Sequence, residues 1–271
     1  LWAFVSDSAY ASRVREIDRS LKPTNTSLTL VPFERHKWTE VAADMFPEGL
    51  PAPHSDDPTQ WLFDGNPRGS KAPLHVAVAR LVGYRWPRQS GSAFVDCPTL
   101  APDGLESHAD VDGIVCLPPL RGEASASDRL MALLAKAYGA DWSAEALTAL
   151  LKQVGAGSLH EWLRDSFFEQ HCNLFHQRPF IWHVWDGLRD GFSALVNYHK
   201  LTGPGGEGRR TLENLAYRYI GEWIARKKAE VAADVDGAEL KVAAAVHLKE
   251  QLEKILEGEP PYDIFVRWKP L

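Results

Sequence analysis

Four groups of residues have types and spacings that suggest chemistry. The first is "EGEPPYDIF", where Glu259 precedes Pro-Pro-Tyr. In enzymes that methylate the amino group of a flipped base, Asn or Asp stands there. Its side chain and backbone oxygen grip the amine while the aromatic ring stacks on the base. Glu259 is one methylene longer and displaces that acceptor, and no Gly-rich loop after a strand lies upstream to hold a methyl donor. The expected role is structural: a Pro-terminated helix leading into a strand "YDIFVRW".

The second group is Cys97, His108 and Cys116, whose spacings match no compact metal pattern, so no metal is expected. The third is Ser193 in "GFSAL", which lacks the second Gly of a nucleophile elbow and sits in an alternating, strand-like run. The fourth is basic. Residues 209–228 carry six Lys or Arg and two Glu in a chain of formal charge -6. Such a cluster suits phosphate tracking as well as a solvated helix face. With His176, Arg178 and Lys200 the cluster is a candidate border of a groove.

The elements that must position these groups follow from periodicity. Ser8 as N-cap and Tyr10, Val14, Ile17 and Leu21 at helical spacing predict a helix over 9–21. "SLTLVPFE" reads as extended, and Trp38, Val41, Ala42 and Met45 mark a second helix. "APLHVAVARLVGYRWP" is helical with Pro73 in its first turn. Residues 96–116 hold five carboxylates and no Lys or Arg, an acidic connection ending in the apolar run "GIVCLPP". Helices follow over 128–138, 143–154 and 158–172.

"RPFIWHVWDGLRDGFSALVNYHK" changes period to two. Phe180, Trp182 and Val184 fall on one face and Ile181, His183 and Trp185 on the other, with "DGLRDG" as the turn of a β-hairpin. Tryptophans alternating on a hairpin are more often sheet core than base-stacking platform, and His183 reads as a satisfied buried histidine. After "GPGGEG", the stripe Leu212, Leu215, Ala216, Tyr219, Ile220, Trp223 and Ile224 predicts a long helix. A second over 238–256 pairs with it antiparallel. The expected fold is α+β, helix-rich, with a β-hairpin or small sheet and a C-terminal antiparallel helical pair. Three regions are expected: 1–95, a connection over 96–122, and 123–271.

Composition narrows the function classes. Forty-five per cent apolar residues supply a core, and no run of about 18 apolar residues offers a membrane span. Three cysteines without a CxxC pair suit reduced thiols and a cytoplasmic location. A chain opening at Leu1, with Met only at 45 and 131, reads as part of a longer polypeptide.

Several phrases, taken together and in order, carry a resemblance: "LWAFVSDSAYASRVREIDRSLKPTNTSLTLVPFE", "SDDPTQWLFDG", "DGIVCLPPLRGEASASDRL", "FFEQHCNLFHQRPFIWHVWDGLRDGFSALVNYHKL" and "PPYDIFVRWKPL". The chain resembles the C-terminal part of large bacterial adenine-specific DNA methyltransferases of restriction-modification and phage-defence systems. The resemblance implies that an upstream domain binds S-adenosylmethionine and performs N6 methylation, while this part recognises and positions double-stranded DNA. No cofactor is then expected in this chain. Whether it is an enzyme by itself stays open, because the catalytic and cofactor motifs are absent.

The implied DNA-contact candidates are Lys22, Asn25, Arg178, Arg209, Arg210, Arg218 and Lys227, with Thr24 and Thr26 beside Asn25 in a Thr/Asn-rich turn that local backbone bonding explains equally. Implied partners are DNA, the catalytic domain on the same polypeptide and other defence-system subunits. The alternative is a protein-interaction module that docks through its acidic surface and the 211–256 helices.

Overall fold

Short polar side chains start several of the helices, and a three-residue apolar run completes the sheet. The computed structural model describes residues 1–49, 54–91 and 99–258. It is helix-rich α+β. By internal contacts the chain divides into Leu1–Pro53 and His54–Leu271.

The first unit holds α1 (Trp2–Val5), α2 (Ser8–Ile17), α3 (Asn25–Thr29) and α4 (Arg35–Met45). Asp7, one residue before the expected Ser8, caps α2 by accepting from the Ala9 N–H. Phe4, Val14, Val31 and Trp38 form its small core. The stretch expected to be extended is in part helical. Thr24 Oγ1 accepts from the Ser27 N–H at 3.2 Å, and the Ser27 hydroxyl donates to Asp18 Oδ2 at 2.6 Å. These two bonds close a helical turn over Asn25–Thr29 that the alternation of "SLTL" conceals.

The second unit begins with α5 (Pro73–Leu81) and α6 (Pro87–Ser90). Pro73 stands in the first turn of α5, where its missing N–H has no partner to lose. This helix belongs to the second unit's main core, so the division by contacts falls after Pro53, whereas composition alone puts a boundary near residue 95. Strand β1 (Ile114–Cys116) follows. Then come α7 (Ala126–Tyr138), α8 (Ala144–Gln153), α9 (Leu159–Asp165) and α10 (Phe167–Leu174). Ser125, Ser143 and Ser158 cap the first three of these through their hydroxyls.

The hairpin forms as expected, with β2 (Ile181–Trp185) and β3 (Ser193–Asn197) antiparallel. The strand is shorter than "FSALVNYHK" suggests, because Asn197 Oδ1 accepts from the His199 N–H and starts α11 (Tyr198–Leu201). The sheet order is β1-β3-β2. The apolar run read as the end of an acidic connection is thus an edge strand, in register Ile114 to Val196 and Cys116 to Ala194.

Central β3 is buried on both faces. Leu195, with Val115 and Ile181, packs into the core built by α5 and α7 to α10. Ala194 and Val196, with Ile114 and Cys116, pack against the C-terminal helices. A period of two therefore divides the sheet between two helical layers.

Those C-terminal helices are α12 (Glu207–Glu213), a π-helical segment Asn214–Tyr219, α13 (Ile220–Ala232) and α14 (Ala238–Glu257). The expected stripe Leu212, Leu215, Ala216, Tyr219, Ile220, Trp223 and Ile224 is buried throughout. Helices α13 and α14 pack on each other across a short turn, as antiparallel neighbours do. Glu259 and the run "YDIFVRW" lie outside the described residues, as does Cys97. Among the described residues no helix is long and apolar enough to cross a membrane, and no cluster of three metal-ligating side chains occurs.

Candidate functional site

The cations singled out by the sequence have different fates. In the first unit, Lys22 and Asn25 are exposed. Thr24 is committed to capping α3. In the second unit, Arg178 is exposed just after His176 and Gln177, two non-glycine residues with φ of 54° and 61°. Consecutive left-handed residues of this kind carry strain of order 1 kcal/mol each, and such strain concentrates where a backbone is held for a purpose.

Arg210 and Arg218 are exposed, Arg218 on the π-helical segment, and neither makes an ion pair or hydrogen bond among the described residues. Arg209 is partly neutralised by Glu213, with Nε donating at 2.8 Å, and its Nη1 reaches the Leu256 carbonyl. Lys227 is spoken for inside the protein. It is 7% exposed, donates to both Glu230 oxygens at 2.7 Å, and lies 4.4 Å from the Trp223 ring centre. Lys200 donates to the Val111 carbonyl.

A second constellation was not assembled by the sequence reading. A cleft of about 500 Å³ opens beside β2, among α9, α10 and the hairpin loop. Ser193 and His183 meet in it, Oγ to Nε2 at 2.7 Å. They pair because the register sets His183 opposite Leu195 and Trp185 opposite Ser193, so the two polar side chains are diagonal neighbours on one face. Burial holds the His183 imidazole below its ordinary pKa, hence neutral at pH 7. Phe168 lies edge-on at 6.4 Å from His183, and Trp185 stacks on it at 6.2 Å and 19°.

The rim is charged. Asp165 accepts both Nε and Nη2 of Arg164 at 2.7 Å and Nη2 of Arg189 at 3.1 Å. These hydrogen bonds, that from Arg164 foremost, hold its carboxyl well below the usual range. Asp186 fixes the loop that carries Arg189, accepting from the Leu188 N–H at 3.0 Å and the Phe192 N–H at 2.7 Å. A Cβ at Gly191 would displace the Asp186 carboxylate from its position.

Ser193 and His183 thus make a hydrogen-bonded pair, but no carboxylate orients the imidazole, and Ser193 lies in a strand. The arrangement suits binding better than acyl transfer. The cleft was hidden because its residues are distant in sequence, and only the hairpin register, which the 186–192 loop sets, brings them together. Neither a protein-family model nor a curated protein matches the chain.

Proposed function

We propose that this chain is the DNA-positioning part of a bacterial adenine-specific DNA methyltransferase of the restriction-modification or phage-defence type. The ordered phrases of the sequence support this reading. The structural observation that carries it is the set of exposed cations Lys22, Arg178, Arg210 and Arg218, which have no carboxylate partner among the described residues. In a chain of net charge -6, cations left uncompensated are available to phosphate oxygens, and phosphate contacts fix register on a duplex.

The described residues do not fit S-adenosylmethionine. Strand β1 runs into Pro118 and Pro119, and β3 passes through Asn197 directly into α11, so neither opens a Gly-rich loop. Methyl transfer is assigned to a separate catalytic domain on the same polypeptide, in the cytoplasm.

The test is fluorescence-anisotropy titration of a labelled duplex at about 50 and about 200 mM salt, a range over which phosphate-dominated binding falls by orders of magnitude. Steep salt sensitivity is expected. Affinity that does not change with salt, or no binding at the lower concentration, would overturn the reading in favour of a protein-docking module.

A further inference from the structure

The cleft beside β2 presents three polar groups to solvent. Among the described residues the Glu169 carboxylate, the His183 Nδ1 and the Trp185 Nε1–H have no hydrogen-bond partner, and all three residues line the cleft. Trp185 is 50% exposed, so a large aromatic face is left to water, a cost that a ligand removes. Phe168, His183 and Trp185 make an aromatic wall, and Ser193 adds a hydroxyl beside the imidazole. At the mouth, two guanidiniums share the single Asp165 carboxylate, and the Arg189 side chain is 74% exposed.

This set matches one ligand chemistry. A flat heteroaromatic ring covers the aromatic wall, as bases do on Trp and Phe. An exocyclic amine gives Glu169 its donor, and ring nitrogens or carbonyls accept from the indole N–H. A phosphate meets the exposed Arg189 guanidinium, which shares Asp165 with Arg164. The volume of about 500 Å³ lies within the range of small-molecule sites. We propose that this cleft binds an amino-bearing nucleotide, with its base against Phe168 and Trp185, its amine on Glu169 and its phosphate at Arg189. The nucleotide has two sources, a free nucleotide or a base unstacked from DNA.

The probes are AMP, IMP as the counterpart lacking the exocyclic amine, and two labelled duplexes, one fully paired and one with a single unpaired adenine. Each is titrated by calorimetry or anisotropy into the chain and into Trp185→Ala and Glu169→Gln variants, whose folding is checked by thermal melting. Neither replaced side chain has a polar partner to lose among the described residues, so the fold is expected to hold.

AMP is expected to bind about tenfold more tightly than IMP, with Glu169→Gln reducing that difference and Trp185→Ala weakening both about tenfold. If the same variants abolish a preference for the unpaired-adenine duplex, the base comes from DNA; if they affect AMP alone, the ligand is a free nucleotide. No AMP binding at about 10 mM, together with equal affinity for the two duplexes, overturns the assignment. Equal binding of the two duplexes without nucleotide binding sinks the cleft and leaves the DNA-positioning reading standing. Nucleotide binding without duplex binding does the reverse.

Discussion

Arg80 and Asp103 form a bidentate ion pair at the edge of the second unit's core. Nη1 donates to Oδ2 at 2.7 Å and Nη2 to Oδ1 at 2.8 Å, while Nη1 also reaches the Gly65 carbonyl at 3.0 Å. Arg80 is 4% exposed, so its charge depends on that carboxylate. Asp103→Asn is expected to cost about 3 kcal/mol in urea unfolding, because it leaves a buried guanidinium with only the more distant Glu106 carboxylate at 3.7 Å. Burial alone would raise the Asp103 carboxyl, but Arg80 and the Leu105 N–H bring it below its ordinary value. Its contribution is therefore present above about pH 4 and is lost as the pH falls further.

Acid is expected to act earlier through two histidines. Burial pushes His75 down to about 4, with a hydrogen bond to Gln170 opposing in part, and burial together with the neighbouring His75 pushes His171 down to about 3. Nδ1 of each is buried without a partner, and His171 Nε2 accepts from the Phe180 and Ile181 N–H groups at 3.3 Å. Both rings are neutral when folded and bind protons near pH 6.5 when unfolded. Stability is thus full above that value and declines below it, by ~2 kcal/mol per histidine at pH 5. His75→Phe should keep the stacking on Phe167 and flatten the decline, as read by thermal melting between pH 7 and 5.

Replacing Arg178, Arg210 or Arg218 singly by Ala is expected to reduce the slope of log affinity against log salt by about 0.9 each, with little effect on stability. Lys227→Met is expected to do the opposite: an unchanged slope and about 1–2 kcal/mol of lost stability, from the vanished Glu230 pair and the Trp223 contact. A reduced slope in Lys227→Met would contradict this division.

Asp186→Ala should loosen the hairpin loop, since two backbone N–H groups lose their acceptor. A cost of about 2 kcal/mol is expected by denaturant titration. Hydrogen exchange at Leu188 and Phe192 should speed up in that variant and not at Val196 in the central strand.

Several elements were legible in the sequence because one local rule decided each. Pro73 suited a helix start, and the alternation around His183 and Ser193 fitted a strand pair. Strand β1 was not legible, since three apolar residues carry no period of their own and their pairing partner lies about eighty positions away. The turn over Asn25–Thr29 was missed because a hydroxyl cap outweighed alternation. Of the basic residues, only tertiary packing distinguishes Arg218, left in water, from Lys227, closed over by Glu230 and Trp223.

The pairing of β1 with β3 has a kinetic consequence. Cys116 and Ala194 are partners, and everything from α7 to β2 lies between them. During synthesis the first edge strand leaves the ribosome without a neighbour and stays unpaired until the central strand emerges, seconds later at ordinary elongation rates. The helices of the intervening segment form locally in the meantime and shorten the effective loop that must close. The β1–β3 pairing thus has the longer wait of the two strand pairs, since β2 and β3 are joined by a short loop.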